Sequence, residues 1–321
     1  MCLMGYIGGM FINNIDPVAF AFGPVEIRWY SLFFAIGICS FYVLAGALWK
    51  KRGWAMSDFD TLILYLFIGM VVGARLGEVF FYKWDYYSSG AGAAAAGFWP
   101  AFAEVFKVWK GGLSSHGATI GVLIAYTAFW WTRKKIAEKS GVKSFKFMER
   151  IDLTALCMPL VAGFVRLGNF FNSEIVGRAV GENSVVGNAL GVVFAQNGES
   201  FARYPVQLYE GLLAWGTFAL VFVLYLRDLK ASDYVDRGAV REGSCGAKQR
   251  PAGFFLFLFI GVYFSGRFLL EFLKEYQVVD GVTDGLPFGI TMGQALSVVP
   301  ILIAGGWFVF NRSRSLPGKD R

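Results

Sequence analysis

The sequence is short of charge and nearly without histidine. Charged residues make up 17 % of 321, and there is one histidine. An ordinary soluble domain carries about 25 % charge. That deficit, with several apolar runs of roughly 20 residues, excludes a soluble domain and a disordered chain. The four cysteines, Cys2, Cys39, Cys157 and Cys245, form no CxxC pair. Two lie inside apolar runs, so they read as filler thiols rather than a disulfide scaffold or metal ligands. A single histidine and no HExxH leave too few ligands for a catalytic metal. No GxSxG elbow precedes Ser114 or Ser115, which removes the usual setting of a serine hydrolase. No internal repeat is visible, which argues against an inverted-repeat transporter. No short apolar segment with a small-residue cleavage site comes before the first long run, so no removable targeting peptide is expected.

What is present is apolar. Hydrophobic residues make up 56 % of the chain, and the mean hydropathy is +0.50. Seven stretches are long enough to span a bilayer, at about 30–49, 59–82, 113–131, 151–171, 206–226, 253–273 and 290–310. Lysine and arginine fall unevenly between them. The segments 50–58, 132–150, 227–252 and the tail after 310 hold three, seven, six and four. The segments before 30, at 83–112, at 172–205 and at 274–289 hold one, three, two and one. The basic side is cytoplasmic. The expected fold is therefore an all-α polytopic membrane protein of seven transmembrane helices, N-terminus outside and C-terminus inside. Residues 1–321 read as a single integral membrane domain. The net charge of +7 is thus an orientation signal, and no nucleic acid is expected as a partner. Residues 172–205, between spans four and five, mix polar and apolar positions. Val185–Val186 and Gly191–Ala195 read there as short strands of a small extracytoplasmic cap. Residues 88–97 are a low-complexity spacer, and 227–252 is a polar cytoplasmic loop expected to be mobile.

Three arginines lie inside spans: Arg75 in GARLGEVFFY, Arg166 in VRLGNFFNSE and Arg267 in YFSGRFLLEF. Each costs about 2.5–3.5 kcal/mol on insertion scales at a span centre. All three sit toward the same outer leaflet, which suggests an anionic ligand held at that depth, because arginine stays charged and forks onto phosphate. Pairing with Glu78, Glu174, Glu210 and Glu271 is the alternative. Arg267 and Glu271 are four apart but in the less favourable order, which weakens a purely local explanation. Arg166 shares a helix face with Asn169, and Asn172 and Glu174 continue the polar run. Gly69, Gly73 and Gly77, and Gly117 and Gly121, repeat every four residues as helix-packing faces. His116 stands at the outer entrance of the third span, and histidine is the side chain whose unperturbed pKa lies near neutrality. An anion or lipid transporter lined by the arginines is the competing reading. It predicts polar residues along a path to the inside, whereas here they cluster at one leaflet. Asp280 and Asp284 lack the second carboxylate cluster that metal-held phosphates would need.

SSHGATIG, RLGNFFNSEIVGR, YPVQLYEG, GRFLLEF and TMGQALS, in this order and with RWYSL ahead of the first span, resemble the bacterial prolipoprotein diacylglyceryl transferases from about Pro24 to Gln294. Two departures stand beside key positions. Ala118 replaces a second glycine after the histidine, and Tyr204 and Val206 replace the side chains of an HPS or HPT segment. The resemblance implies transfer of the diacylglyceryl group of phosphatidylglycerol to the lipobox cysteine of a prolipoprotein signal peptide, releasing glycerol phosphate, at the outer leaflet of a bacterial cytoplasmic (inner) membrane. No metal or soluble cofactor is implied. On this reading His116 either accepts the thiol proton or positions the lipid, Arg166 holds the phosphate and Arg267 assists its departure. Tyr30 and Asn169 hydrogen-bond the head group. Glu174, Gln207, Tyr209 and Glu210 orient these donors, and Arg75, Asn172, Gly177 and Glu271 complete the substrate-binding set.

Overall fold

The computed structural model describes residues 4–7, 10–23, 25–88, 97–107, 114–139, 146–181, 184, 187, 190–236, 250–275, 278–279, 282–283 and 290–314. The strand expected at Val185–Val186 lies outside these residues, as do 89–96 of the spacer and 237–249 of the cytoplasmic loop.

Four short strands come first: β1 (Met4–Ile7), β2 (Met10–Asn13), β3 (Val18–Phe22) and β4 (Val25–Arg28). Then follow α1 (Trp29–Lys51) and α2 (Met56–Gly77), the latter continued by a π-helical turn, Glu78–Tyr82. Next are α3 (Trp84–Ser88), α4 (Phe98–Val105), α5 (Ser115–Lys139) and α6 (Phe147–Phe171). β5 (Val192–Phe194) and β6 (Ala202–Arg203) precede α7 (Val206–Asp236) and α8 (Phe254–Leu270), which ends in a 3-10 turn, Glu271–Leu273. β7 (Val278–Val279), β8 (Val282–Thr283) and α9 (Met292–Arg314) come last.

Among the described residues, six helical stretches are long and apolar enough to cross a membrane: Trp29–Lys51, Met56–Tyr82, Phe147–Phe171, Val206–Leu229, Phe254–Leu273 and Met292–Arg312. Their outward residues are apolar, as lipid requires: Leu212 is 65 % exposed and Leu302 68 %. The protein is thus a mostly helical, polytopic membrane protein. Helix α5 covers the expected third span but is not among the six. Its polar first turn and the run Arg133–Lys135 leave it less apolar than the others.

The chain divides into two compact units, Gly46–Phe147 and the remainder, Met1–Ala45 with Met148–Arg321. In the first, α2 and α5 meet along their glycines. A Cβ on Gly77 would lie 2.6 Å from the Gly117 Cα, and one on Gly73 2.7 Å from the Gly121 Cα. Only hydrogen fits at such a crossing, which is the small-xxx-small mode of packing in lipid, where apolar burial alone drives nothing together. Ser114 starts α5 by accepting the Gly117 N–H on its hydroxyl, 3.2 Å, and its own N–H reaches the Ala74 carbonyl, 2.9 Å.

In the second unit a four-stranded sheet has the order β1-β2-β5-β6. β2 pairs with β5 in parallel, Phe11 opposite Val192 and Asn13 opposite Phe194. Phe170 at the end of α6 packs on Val192 and Phe194. Asn13, fully buried, donates its amide to the Phe170 carbonyl, 2.9 Å, and so closes the C-terminus of α6. Asp152 at the opposite end of α6 accepts the Gly253 N–H at 2.6 Å and the Leu256 N–H at 2.8 Å. It caps α8 from outside that helix, satisfying donors the helix cannot satisfy itself. Asp152→Ala is therefore expected to destabilise the protein by about 1–3 kcal/mol, measured as a lowered Tm in detergent. An unchanged Tm would mean that water takes over both donors.

Candidate functional site

The last turns of α6 carry Arg166 and Asn169 on one face. The Arg166 Nε lies 2.5 Å from the Glu210 Oε2, and the Arg166 side chain is 14 % exposed. Its Nη1 donates to the Asn169 Oδ1 at 3.5 Å. Asn169 donates in turn to the Glu174 Oε2, 3.3 Å, and Asn172 to the Oε1, 3.1 Å. Glu174 reaches back because the chain reverses just past α6. Ser173 and Ile175 both have φ of 55°, a left-handed conformation that costs a non-glycine residue energy, most of all a β-branched one. The Glu174 N–H on the Asn169 carbonyl, 2.9 Å, closes this turn. Gln207, fully buried in the first turn of α7, donates to the Glu174 carbonyl at 2.6 Å. Tyr30, in the first turn of α1, lies within electrostatic reach of Arg166 and Glu174. Gly168 admits it: a Cβ there would stand 3.0 Å from the Tyr30 Cα.

Arg267 lies within electrostatic reach of Glu210 and Glu271. Tyr263, one turn earlier on α8, is a further electrostatic neighbour of Arg267. Among the described residues Arg267 makes no direct ion pair. Glu271, 1 % exposed, meets the Lys274 Nζ instead, 3.4 Å from its Oε1. One cluster thus gathers Tyr30, Arg166, Asn169, Asn172, Glu174, Gln207, Glu210, Arg267 and Glu271.

The remaining expected residues have other surroundings. Tyr209 has Tyr204 as its electrostatic neighbour. Gly177 marks a backbone crossing. Its N–H donates to the Tyr204 carbonyl, 2.9 Å, and a Cβ would lie 2.5 Å from that oxygen and 2.8 Å from the Leu273 carbonyl oxygen. The Gly177 carbonyl accepts from Arg203, 3.1 Å, whose guanidinium also pairs with Glu199 and Glu275 at 2.7 Å each. Burial opposes the Arg203 charge, but the two carboxylates outweigh it and hold the pKa above the ordinary arginine value. Arg75 and His116 belong to the unit Gly46–Phe147. Arg75 is buried, and it donates from Nε to the Val105 carbonyl and from Nη2 to the Glu104 carbonyl, 2.8 Å each, and to the Tyr87 hydroxyl, 3.1 Å. Its fork thus satisfies the last carbonyls of α4, a favourable place for a cation. His116 is exposed in the first turn of α5, with Nδ1 3.1 Å from the Tyr82 hydroxyl.

Three direct neighbours of the expected residues, in one unit or the other, were not read from the sequence. Tyr263 and Lys274 stand one turn from Arg267 and Glu271, and that spacing was a usable signal. Tyr82, 34 residues from His116, left none.

The cluster holds cations and carboxylates in near balance at the end of membrane helices, with one guanidinium short of a direct counter-ion among the described residues. Such a site suits an anion whose charge grows during reaction. Residues 17–310 match the sequence family described as prolipoprotein diacylglyceryl transferase. The phosphatidylglycerol–prolipoprotein diacylglyceryl transferase of Tolumonas auensis is 33 % identical over 296 residues, covering 92 % of this chain and 95 % of that protein. Its counterpart in Pseudoalteromonas atlantica is 32 % identical, covering 91 % and 87 %, and that of Burkholderia pseudomallei is 32 % identical, covering 91 % and 93 %.

Proposed function

Because this chain belongs to the prolipoprotein diacylglyceryl transferase family, we propose that it moves the diacylglyceryl group of phosphatidylglycerol to the thiol of a lipobox cysteine in a prolipoprotein. The observation that carries the chemistry is Arg267, without a direct ion pair among the described residues and sharing the field of Glu210 with Arg166, which pairs with that carboxylate.

The thiol first loses its proton, because the thiolate is the nucleophile. The sulfur then attacks the glyceryl carbon that bears the phosphate. The C–O bond breaks as the C–S thioether forms, and glycerol phosphate leaves with the electron pair on oxygen. Arg166 holds the phosphate by its fork, and Arg267 answers the charge that develops on the leaving oxygen in a poorly solvated place. Asn169 and Tyr30 hydrogen-bond the head group. Glu174, Gln207 and Glu210 hold those donors in position. His116 takes the thiol proton. With Nδ1 on Tyr82, Nε2 is the nitrogen left for that exchange.

Helix α5 completes seven spans on this reading, with the N-terminus outside and the C-terminus inside. The Arg166 cluster then stands at the outer leaflet of the bacterial inner membrane, under a cap formed by 172–205. The basic segments after α1, α5, α7 and α9 support that orientation.

Purified protein incubated with phosphatidylglycerol labelled in its glyceryl and acyl portion, and with a lipobox peptide, should pass the label to the peptide. A Cys→Ser peptide should receive none. Label that stays in lipid with the cysteine peptide would remove the proposal.

A further inference from the structure

We infer that Gly293 is a positioning residue of the transfer reaction, acting through Glu271 to keep Arg267 open to the lipid phosphate. The inference rests on the proposed function for the role of Arg267 and on geometry for the rest.

Glu271 is 1 % exposed, and its Oε2 has no hydrogen-bond partner among the described residues. Burial on this scale is costly for a carboxylate unless something holds the charge. Lys274 supplies part of the hold, 3.4 Å from the Oε1. The first turn of α9 supplies the rest. Thr291 and Gln294 cap it reciprocally: the Thr291 hydroxyl accepts the Gln294 N–H at 3.1 Å, and the Gln294 side chain accepts the Thr291 N–H at 3.0 Å. This exchange leaves the N–H groups of Met292 and Gly293 without a partner inside the helix. The positive end of α9 therefore stands against the carboxylate. The approach is close because residue 293 has no side chain. A Cβ there would lie 2.5 Å from the Glu271 Cδ and 2.7 Å from its Oε2. The carboxylate thus sits in a slot that only glycine leaves open.

That slot explains an otherwise odd arrangement. Glu271 follows Arg267 by one helical turn, yet the two make no direct ion pair among the described residues. A carboxylate seated against α9 contributes negative field at a distance and leaves the guanidinium fork to an incoming anion. The group that a methyl at 293 would strike is the far end of a side chain, not backbone. The expected consequence is eviction of the carboxylate rather than collapse of the fold. Once evicted, it competes with the phosphate for Arg267.

The test compares Gly293→Ala, Gly293→Ala with Glu271→Asp, and Gly306→Ala. Gly306 also lies in α9, but a Cβ there meets nothing within 4 Å. Gly293→Ala is expected to lower kcat/KM by about 10²-fold, chiefly through a higher KM for phosphatidylglycerol. Its Tm should stay level or rise, since alanine is the better helix former. An aspartate side chain is one methylene shorter than a glutamate and makes room for the methyl, so the double variant should be more active than Gly293→Ala alone. Gly306→Ala should match wild type. Retention of phosphatidylglycerol in native mass spectrometry should follow the same order, and this readout stands even if wild type transfers nothing, an outcome that would remove only the reaction. Wild-type KM and retention in Gly293→Ala, a double variant no better than the single, or a loss of activity matched by a fall in Tm would each overturn the inference.

Discussion

Replacing Arg166 with lysine is expected to lower kcat/KM for diacylglyceryl transfer by about 10²–10³, or roughly 3–4 kcal/mol of transition-state stabilisation. The charge is conserved, so the loss must come from shape. The Arg166 Nε is committed to Glu210 at 2.5 Å and its Nη1 to Asn169 at 3.5 Å. The second terminal nitrogen has no contact among the described residues. A guanidinium can hold those two partners and still present N–H groups to a phosphate. An ammonium is a single point on a flexible stem. Placed on Glu210 it satisfies the buried carboxylate and has nothing directed at the substrate. The Tm of Arg166→Lys should remain close to wild type because the Glu210 charge keeps a partner. Glu210→Gln is the opposite case. It leaves both guanidinium groups without their shared anion, and its Tm should fall. Near-normal transfer by Arg166→Lys would reduce Arg166 to a charge clamp and leave Arg267 alone to bind phosphate.

The parts of this site that were legible in the sequence were local. Arg166 and Asn169 share a face because they are three apart, and the polar run through Glu174 marks the end of α6 at Phe171, where the structure ends it. The glycines at 69, 73, 77, 117 and 121 were read from spacing alone and meet one another. The strand expected within Gly191–Ala195 is β5. Where the sequence misled, the deciding contact was distant or the signal belonged to lipid rather than to helix. Hydropathy stops the fifth span near residue 226 because Arg227 and Asp228 are charged, but the helix itself continues to Asp236. The strands β1 and β2 are four residues each. β2 finds its partner β5 some 180 residues later, a pairing without a local signature. Arg75 shows the limit most clearly. A span arginine reads the same whether it awaits a phosphate or closes the end of a neighbouring helix, and here its fork lies on the carbonyls of Glu104 and Val105. Arg267 and Glu271 had the spacing of an ion pair in the weaker order, and the carboxylate goes to Lys274 and α9 instead.

His116→Gln is expected to abolish transfer at neutral pH, a loss on the order of 10²–10⁴ for a general base, while the protein still inserts and folds. Glutamine keeps a polar side chain opposite the Tyr82 hydroxyl, so the first turn of α5 retains its hydrogen bonding. What disappears is the group that can take a proton. The lipobox thiol, with a pKa near 8.5 when unperturbed, is mostly protonated at neutral pH, so wild type needs that group and an alkaline solution does not. The sign of the pH effect follows. Activity of His116→Gln should climb as pH rises through the thiol value and recover much of the deficit near pH 9.5, where roughly nine-tenths of an unperturbed thiol is thiolate. Wild type, already supplied with a base, should gain far less over the same interval. Tyr82→Phe separates orientation from proton transfer: it frees the Nδ1 but leaves a titratable ring, so its loss should be much smaller than that of His116→Gln and should not be cured by alkali. A His116→Gln protein that stays inactive at high pH would assign the histidine to seating the lipid, because preformed thiolate would then meet the same barrier as thiol.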